Sequence, residues 1–111
     1  MRILRRRFVK LPQYVPVLLI LGEAAGDGWG RLLHLSARGF TLLTRFDLKR
    51  GSEVFLTFEL AGTEFEAVAC RVTRREIDRD GYCLYGLEIL RDGEIQKMQQ
   101  KLMELLTKQT G

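Results

Sequence analysis

The clearest order in the chain is a strict alternation over Glu53–Leu60. There Val54, Leu56, Phe58 and Leu60 take turns with Glu53, Phe55, Thr57 and Glu59. A period of two is that of a strand with one face in a core. Ala61-Gly62 follows and fits a two-residue hairpin, which sets Phe58 opposite Phe65, Leu56 opposite Ala67 and Glu59 opposite Glu64. The returning strand runs from about 64 to 76. Continued alternation would carry Arg71 inward, so a bulge that swaps faces and puts Val72 inside is expected. Asp78-Arg79-Asp80-Gly81 turns the chain again, and residues 82–90 form a strand with Cys83, Tyr85, Leu87 and Ile89 on one face. Upstream, the continuous apolar run 15–21 predicts a first buried strand. Residues 29–35 predict a second, with Leu33 and Leu35 on one face and Leu32 and His34 on the other. A corner at 36–39 leads into a third strand, 40–44.

The period changes after residue 91. Ile95, Met98, Leu102 and Leu105 recur at steps of three and four, with Met103 and Leu106 widening the stripe. Gln96, Lys97, Gln100, Lys101, Glu104 and Lys108 make the wet face. This predicts a helix over about 93–108 with Asp92 as its N-cap. Two heptads make a weak coiled coil, so the stripe is assigned to plugging an open end of the sheet. Six regularly spaced strands followed by one helix predict an all-β fold with one helix: a six-stranded antiparallel β-barrel capped by a C-terminal α-helix. The 111 residues divide into a basic N-terminal arm (1–14), the barrel (15–91) and the helix (92–109), all one domain.

Charge changes this picture at one place. Of the 18 basic residues, five (Arg2, Arg5, Arg6, Arg7 and Lys10) fall in the first ten positions, and none of the 14 acids does. The body is nearly neutral, which points to a local anion site rather than a whole-surface field for nucleic acid. Arg5-Arg6-Arg7 ahead of an apolar run also resembles a twin-arginine export signal. That run is short, contains Pro16 and ends at Gly22-Glu23, so export is set aside. No segment approaches the ~20 apolar residues of a membrane span. The two cysteines, Cys70 and Cys83, are expected on neighbouring strands about 20 Å out of register, too far for a disulfide. Free buried thiols suit a reducing cytoplasm.

Catalysis finds little support. His34 is the single histidine, and on a strand it stands about 6–7 Å from Ser36, too far to activate that hydroxyl unaided. No cluster has metal-ligand spacing, and no glycine-rich loop opens a helix. The chain is expected not to be an enzyme and to need no cofactor. What remains is an anion site. Arg6 and Lys10, four apart on an extended arm, are able to wrap a ligand, guanidinium groups grip phosphate or guanine edges, and Ser36 adds a hydroxyl. Gly39 either lets backbone come close to a ligand or takes a φ that other residues avoid.

Arg6-Arg7-Phe8-Val9-Lys10 and His34-Leu35-Ser36-Ala37-Arg38-Gly39 together resemble the two motifs of the PilZ domain family. These are RxxxR in an N-terminal loop and D/N-x-S-x-x-G on a barrel strand. Cys70-Arg71-Val72-Thr73-Arg74 and Tyr85-Gly86-Leu87-Glu88-Ile89 resemble the last two strands of that family. The resemblance implies a bacterial cytoplasmic receptor for cyclic di-GMP, with Arg5, Arg6, Lys10, His34, Ser36 and Gly39 on the ligand. Arm ordering would pass the signal to a protein partner in motility, pilus or biofilm machinery, and no nucleic acid is expected. Lys10 stands where the motif has its second arginine; the register Arg2/Arg6 restores both arginines farther from Pro12. His34 stands where it has Asp or Asn. These departures carry the alternative: a PilZ-type adaptor that has lost the ligand and acts through protein contacts.

Overall fold

Apolar alternation becomes a closed wall. The computed structural model describes residues 9–20, 27–36, 38–77 and 80–110. Among these lie strands β1 (Val9–Ile20), β2 (Asp27–Leu35), β3 (Gly39–Thr44), β4 (Glu53–Leu60), β5 (Thr63–Ile77) and β6 (Cys83–Ile89), then helix α1 (Asp92–Thr110). The strands close into an antiparallel barrel, as the sequence predicts, and their order round it is β1-β2-β3-β6-β5-β4. The β1–β4 seam is three residue pairs long, from Leu18↔Thr57 to Ile20↔Phe55. β1 begins at Val9, not at 15: the segment expected to be arm already pairs with β2 through Val9↔Leu35 and Lys10↔His34.

Inward side chains fill the barrel, with Val17, Leu19, Leu32, Leu42, Leu56, Val72 and Tyr85 fully or almost fully removed from water. Phe58 stacks on Phe65 (centroids 5.0 Å apart) and meets Phe40 edge-on at 5.4 Å. The Tyr85 hydroxyl is satisfied inside, accepting from the Leu48 N–H (2.6 Å) and donating to the Phe46 carbonyl (2.7 Å). These bonds pin the β3–β4 connection across the barrel end.

The hairpin forms as expected. Ala61 (φ 46°) and Gly62 (φ 83°) both have positive φ, the demand of a tight primed turn, and Phe58↔Phe65 and Glu59↔Glu64 are paired. The expected face swap occurs at Ala67 (φ 49°), whose N–H bonds the Thr57 hydroxyl at 2.9 Å. Leu56 therefore faces Val68 rather than Ala67, and Val72 is buried. A second extra residue, unforeseen, sits at Leu33. Leu32 and Leu35 both point inward, so Leu33 shares the outer wall with His34 and not a face with Leu35. A third register shift falls between Val72 and Arg74.

The helix seats on the barrel through Met98, which is fully buried, with Ile95, Leu102, Leu105 and Leu106 packed around it. Three expectations are corrected. The Arg91 carbonyl takes the first helical bond from the Ile95 N–H (3.0 Å), so Asp92 lies in the first turn beside Glu94 rather than at the cap. Met103 is 66% exposed and belongs to no stripe. Lys101 is buried: its ammonium donates to the Ala61 carbonyl (2.9 Å), the Thr63 hydroxyl (2.9 Å) and Glu104 (3.1 Å). Lys97 reaches the Glu64 carbonyl (2.6 Å) over the Phe65 ring, and Glu94 accepts from the Ala69 N–H (3.3 Å).

Both cysteines are buried and free. Burial, with Glu94 nearby as the lesser cause, pushes the Cys70 thiol up to about 12. The unfolded thiol ionises near 9, so the unfolded state loses its proton first, and stability falls as pH rises from 9 toward 12. The slope should approach ~1.4 kcal/mol per pH unit relative to a Cys70→Ala variant. Urea titrations of both proteins across that range check this, and parallel curves would show that the thiol meets solvent.

Candidate functional site

The register of four strand pairs sets out one row across the outer wall: Lys10↔His34, His34↔Thr41, Thr41↔Gly86 and Gly86↔Arg74. The row curves round five of the six strands, from Lys10 on β1 to Arg74 on β5. Arg5 and Arg6 lie outside the described residues. Lys10 is brought beside His34 by backbone pairing. His34 and Ser36 are half-buried and flank the inward Leu35, so both belong to the outer wall.

Beyond Leu35 the chain turns tightly. The Ser36 N–H (3.0 Å) and hydroxyl (3.3 Å) both donate to the Gly39 carbonyl. The hydroxyl oxygen keeps its lone pairs for a ligand donor. Gly39 has no positive φ, and the room left by its missing side chain is taken by the backbone of β6 rather than kept for a ligand, so neither expected use is the one the structure makes of it. A Cβ here would overlap the Leu87 carbonyl oxygen. The Ile89 N–H bonds the Arg38 carbonyl at 2.8 Å and locks the same crossing.

A shallow groove of about 370 Å³ runs from this corner along the row, walled by Ser36, Arg38, Thr41, Thr73, Arg74 and Glu88. Its floor includes Gly39 and Gly86. A Cβ on Gly86 would stand 3.2 Å from the Arg74 Cβ and 3.6 Å from its Nε, so the Arg74 stem lies across bare backbone. Thr73 donates to the Gly86 carbonyl at 3.1 Å and steadies that end. The result is a groove with two guanidinium groups and one carboxylate, open to a flat, anionic ligand.

Arg74 and Thr41 were not singled out by sequence reasoning. The turn expected over Asp78–Gly81 sets Cys83 opposite position 76 and Gly86 opposite Thr73. The observed pair is Ile77↔Cys83, and one residue of slip moves Arg74 onto the row. Among the described residues no group of three or more His, Cys, Asp or Glu has the arrangement to hold a metal. No helix among them is long and apolar enough to cross a membrane.

The family model of the PilZ domain matches residues 4–108. The chain belongs to the PilZ domain family. Membership makes it a binding or regulatory module rather than a catalyst. Solved structures share the fold of this PilZ domain at low identity. YcgR from Escherichia coli, in complex with c-di-GMP, is 14% identical with a TM-score of 0.75, over 95% of this chain and 48% of that one. The Bacillus subtilis inhibitor of motility MotI (DgrA) is 18% identical at 0.68, over 94% and 52%. MrkH, a c-di-GMP-dependent transcription regulatory factor, is 11% identical at 0.71, over 90% and 49%. The PilZ domain thus spans about half the length of each. No curated protein matches it significantly.

Proposed function

We propose that this PilZ domain is a non-enzymatic bacterial signalling module that binds cyclic di-GMP in the groove beside Ser36 and Gly39. The observation that carries the reading is the pairing of Val9 with Leu35 and Lys10 with His34. It starts β1 at the corner itself, so Arg6, four residues before Lys10, is tethered within about 13 Å of it. Arg5, Arg6 and Lys10 would close over the ligand from one side. His34 and Ser36 would meet its base and phosphate edges, and Arg74 would offer a planar stacking face at the far end of the row. The c-di-GMP named with YcgR and MrkH supports this ligand class. Ordering of the basic segment over the groove would present a new surface to a protein partner in the cytoplasm.

Calorimetry with cyclic di-GMP tests the proposal. Saturable binding is expected, lost in Arg6→Ala and Ser36→Ala and weakened by roughly tenfold or more in Arg74→Ala. His34→Asp should tighten binding by roughly 10- to 150-fold, because a carboxylate accepts two bonds from a guanine edge where a neutral imidazole accepts one. Absence of heat at high ligand concentration would sink the receptor reading. It would favour the adaptor, to which the His34 and Lys10 positions already lend support.

A further inference from the structure

Trp29, Phe46 and Ile77, three of the four large apolar side chains left exposed among the described residues, gather at the barrel end opposite the Ser36 corner. They rim a groove the cyclic dinucleotide reading does not use. Its first depression, about 510 Å³, is walled by Trp29, Arg31, Arg45, Phe46 and Tyr82. Leu43 joins it to a second, about 400 Å³, lined with Leu33, Glu76, Ile77 and Leu84. The unforeseen extra residue in β2 is what turns Leu33 outward to line it.

The walls are built from below. The Phe46 ring lies on bare Gly28, where any Cβ would run into it. The Phe46 backbone is held at both ends, its N–H by the Thr44 hydroxyl (3.3 Å) and its carbonyl by the buried Tyr85 hydroxyl (2.7 Å). Thr44 donates in turn to the Trp29 carbonyl at 2.8 Å. The Arg45 guanidinium sits 4.5 Å from the centre of the Tyr82 ring. Stacking there holds the cation at the mouth without neutralising it, and Arg45 forms no ion pair among the described residues.

We infer that this groove docks an acidic, apolar-anchored peptide segment of a partner protein. Charge complementarity selects the occupant. Among the described residues the first depression is lined by no carboxylate and presents the Arg45 guanidinium without an ion pair, so it calls for acid, while the largely apolar second depression calls for an aliphatic or aromatic anchor. A closed barrel offers no free edge along this wall for strand addition, so recognition must run through side chains. The concavity and the carboxylate of Glu76 disfavour an anionic bilayer.

Trp29 is the single tryptophan of the chain, so its emission reports occupancy directly. Random peptides long enough to fill both depressions, displayed on phage, are selected on the full chain without cyclic di-GMP. The expected result is enrichment of acidic sequences with an apolar anchor. As synthetic peptides they should blue-shift Trp29 emission and bind roughly tenfold or more weakly to Trp29→Ala and to Arg45→Glu. Both positions are exposed, and circular dichroism checks that the variants fold. Peptides with lysine in place of the acids should prefer Arg45→Glu. Selected peptides indifferent to both substitutions would overturn the inference. So would a blue shift produced instead by phosphatidylglycerol vesicles, by oligothymidylate, or by raising protein concentration alone. Loss of cyclic di-GMP binding leaves this test untouched.

Discussion

Gly39→Ala is expected to lower unfolding free energy by about 3 kcal/mol or more, at or beyond the upper end for overpacking. A single methyl group does this because its obstacle is backbone. The new Cβ would overlap the Leu87 carbonyl oxygen and stand 3.2 Å from its carbon and 3.5 Å from the Glu88 Cα. No rotamer relieves that. β3 and β6 must part at their crossing, and with them go the Ile89–Arg38 bond and the turn bonds from Ser36 to the Gly39 carbonyl. Binding at the corner should fail together with stability. Gly93→Ala is the control: its Cβ meets nothing within 4 Å in the first turn of α1, where alanine is favoured over glycine by up to ~1 kcal/mol. Denaturant midpoints compare the two, and a Gly39→Ala midpoint equal to wild type would mean the strands do not approach as described.

Met98→Ala should destabilise by about 2–5 kcal/mol, the range for a fully buried long side chain cut to alanine. Among the described helix residues Met98 alone lies wholly inside the barrel's core cluster, while its flanking leucines are only partly covered. Its loss should weaken the docking of α1 before the barrel itself, seen as earlier proteolysis of the helix. Met103→Ala, five residues on and 66% exposed, should leave the midpoint within about 0.5 kcal/mol. Equal effects at the two methionines would show that the helix is rolled differently on the barrel.

These two positions mark where sequence stopped being legible. Strand identity, the Ala61-Gly62 turn and the inward set of β6 were readable because each is local: period two and a turn dipeptide need only neighbours. The outer row was not. It depends on four register shifts, in β1 between Lys10 and Val15, at Leu33, at Ala67 and near Thr73. Only the one needed to keep Arg71 out of the core announced itself by charge. Leu33 gave no such sign, since a leucine fits either wall. Lys101 was misplaced for a related reason. On a helical wheel it belongs with the wet face, and only the hairpin tip lying beneath it supplies the two acceptors that join Glu104 of the helix in holding it. At the candidate site the motif residues were legible by spacing, whereas Arg74 entered through pairing alone.

The bonds from α1 to the β4–β5 hairpin bear on how such domains exchange parts. Lys97 and Lys101 reach main-chain oxygens of Glu64 and Ala61, and Glu94 takes a main-chain N–H from Ala69. Each contact recognises backbone position on the hairpin side while demanding one side chain on the helix side. A chimera that imports a foreign helix onto this barrel therefore has to import Glu94, Lys97 and Lys101 with it. A foreign hairpin has to keep its length and its bulge, with a hydroxyl at position 63 for Lys101 and a ring at 65 beneath Lys97.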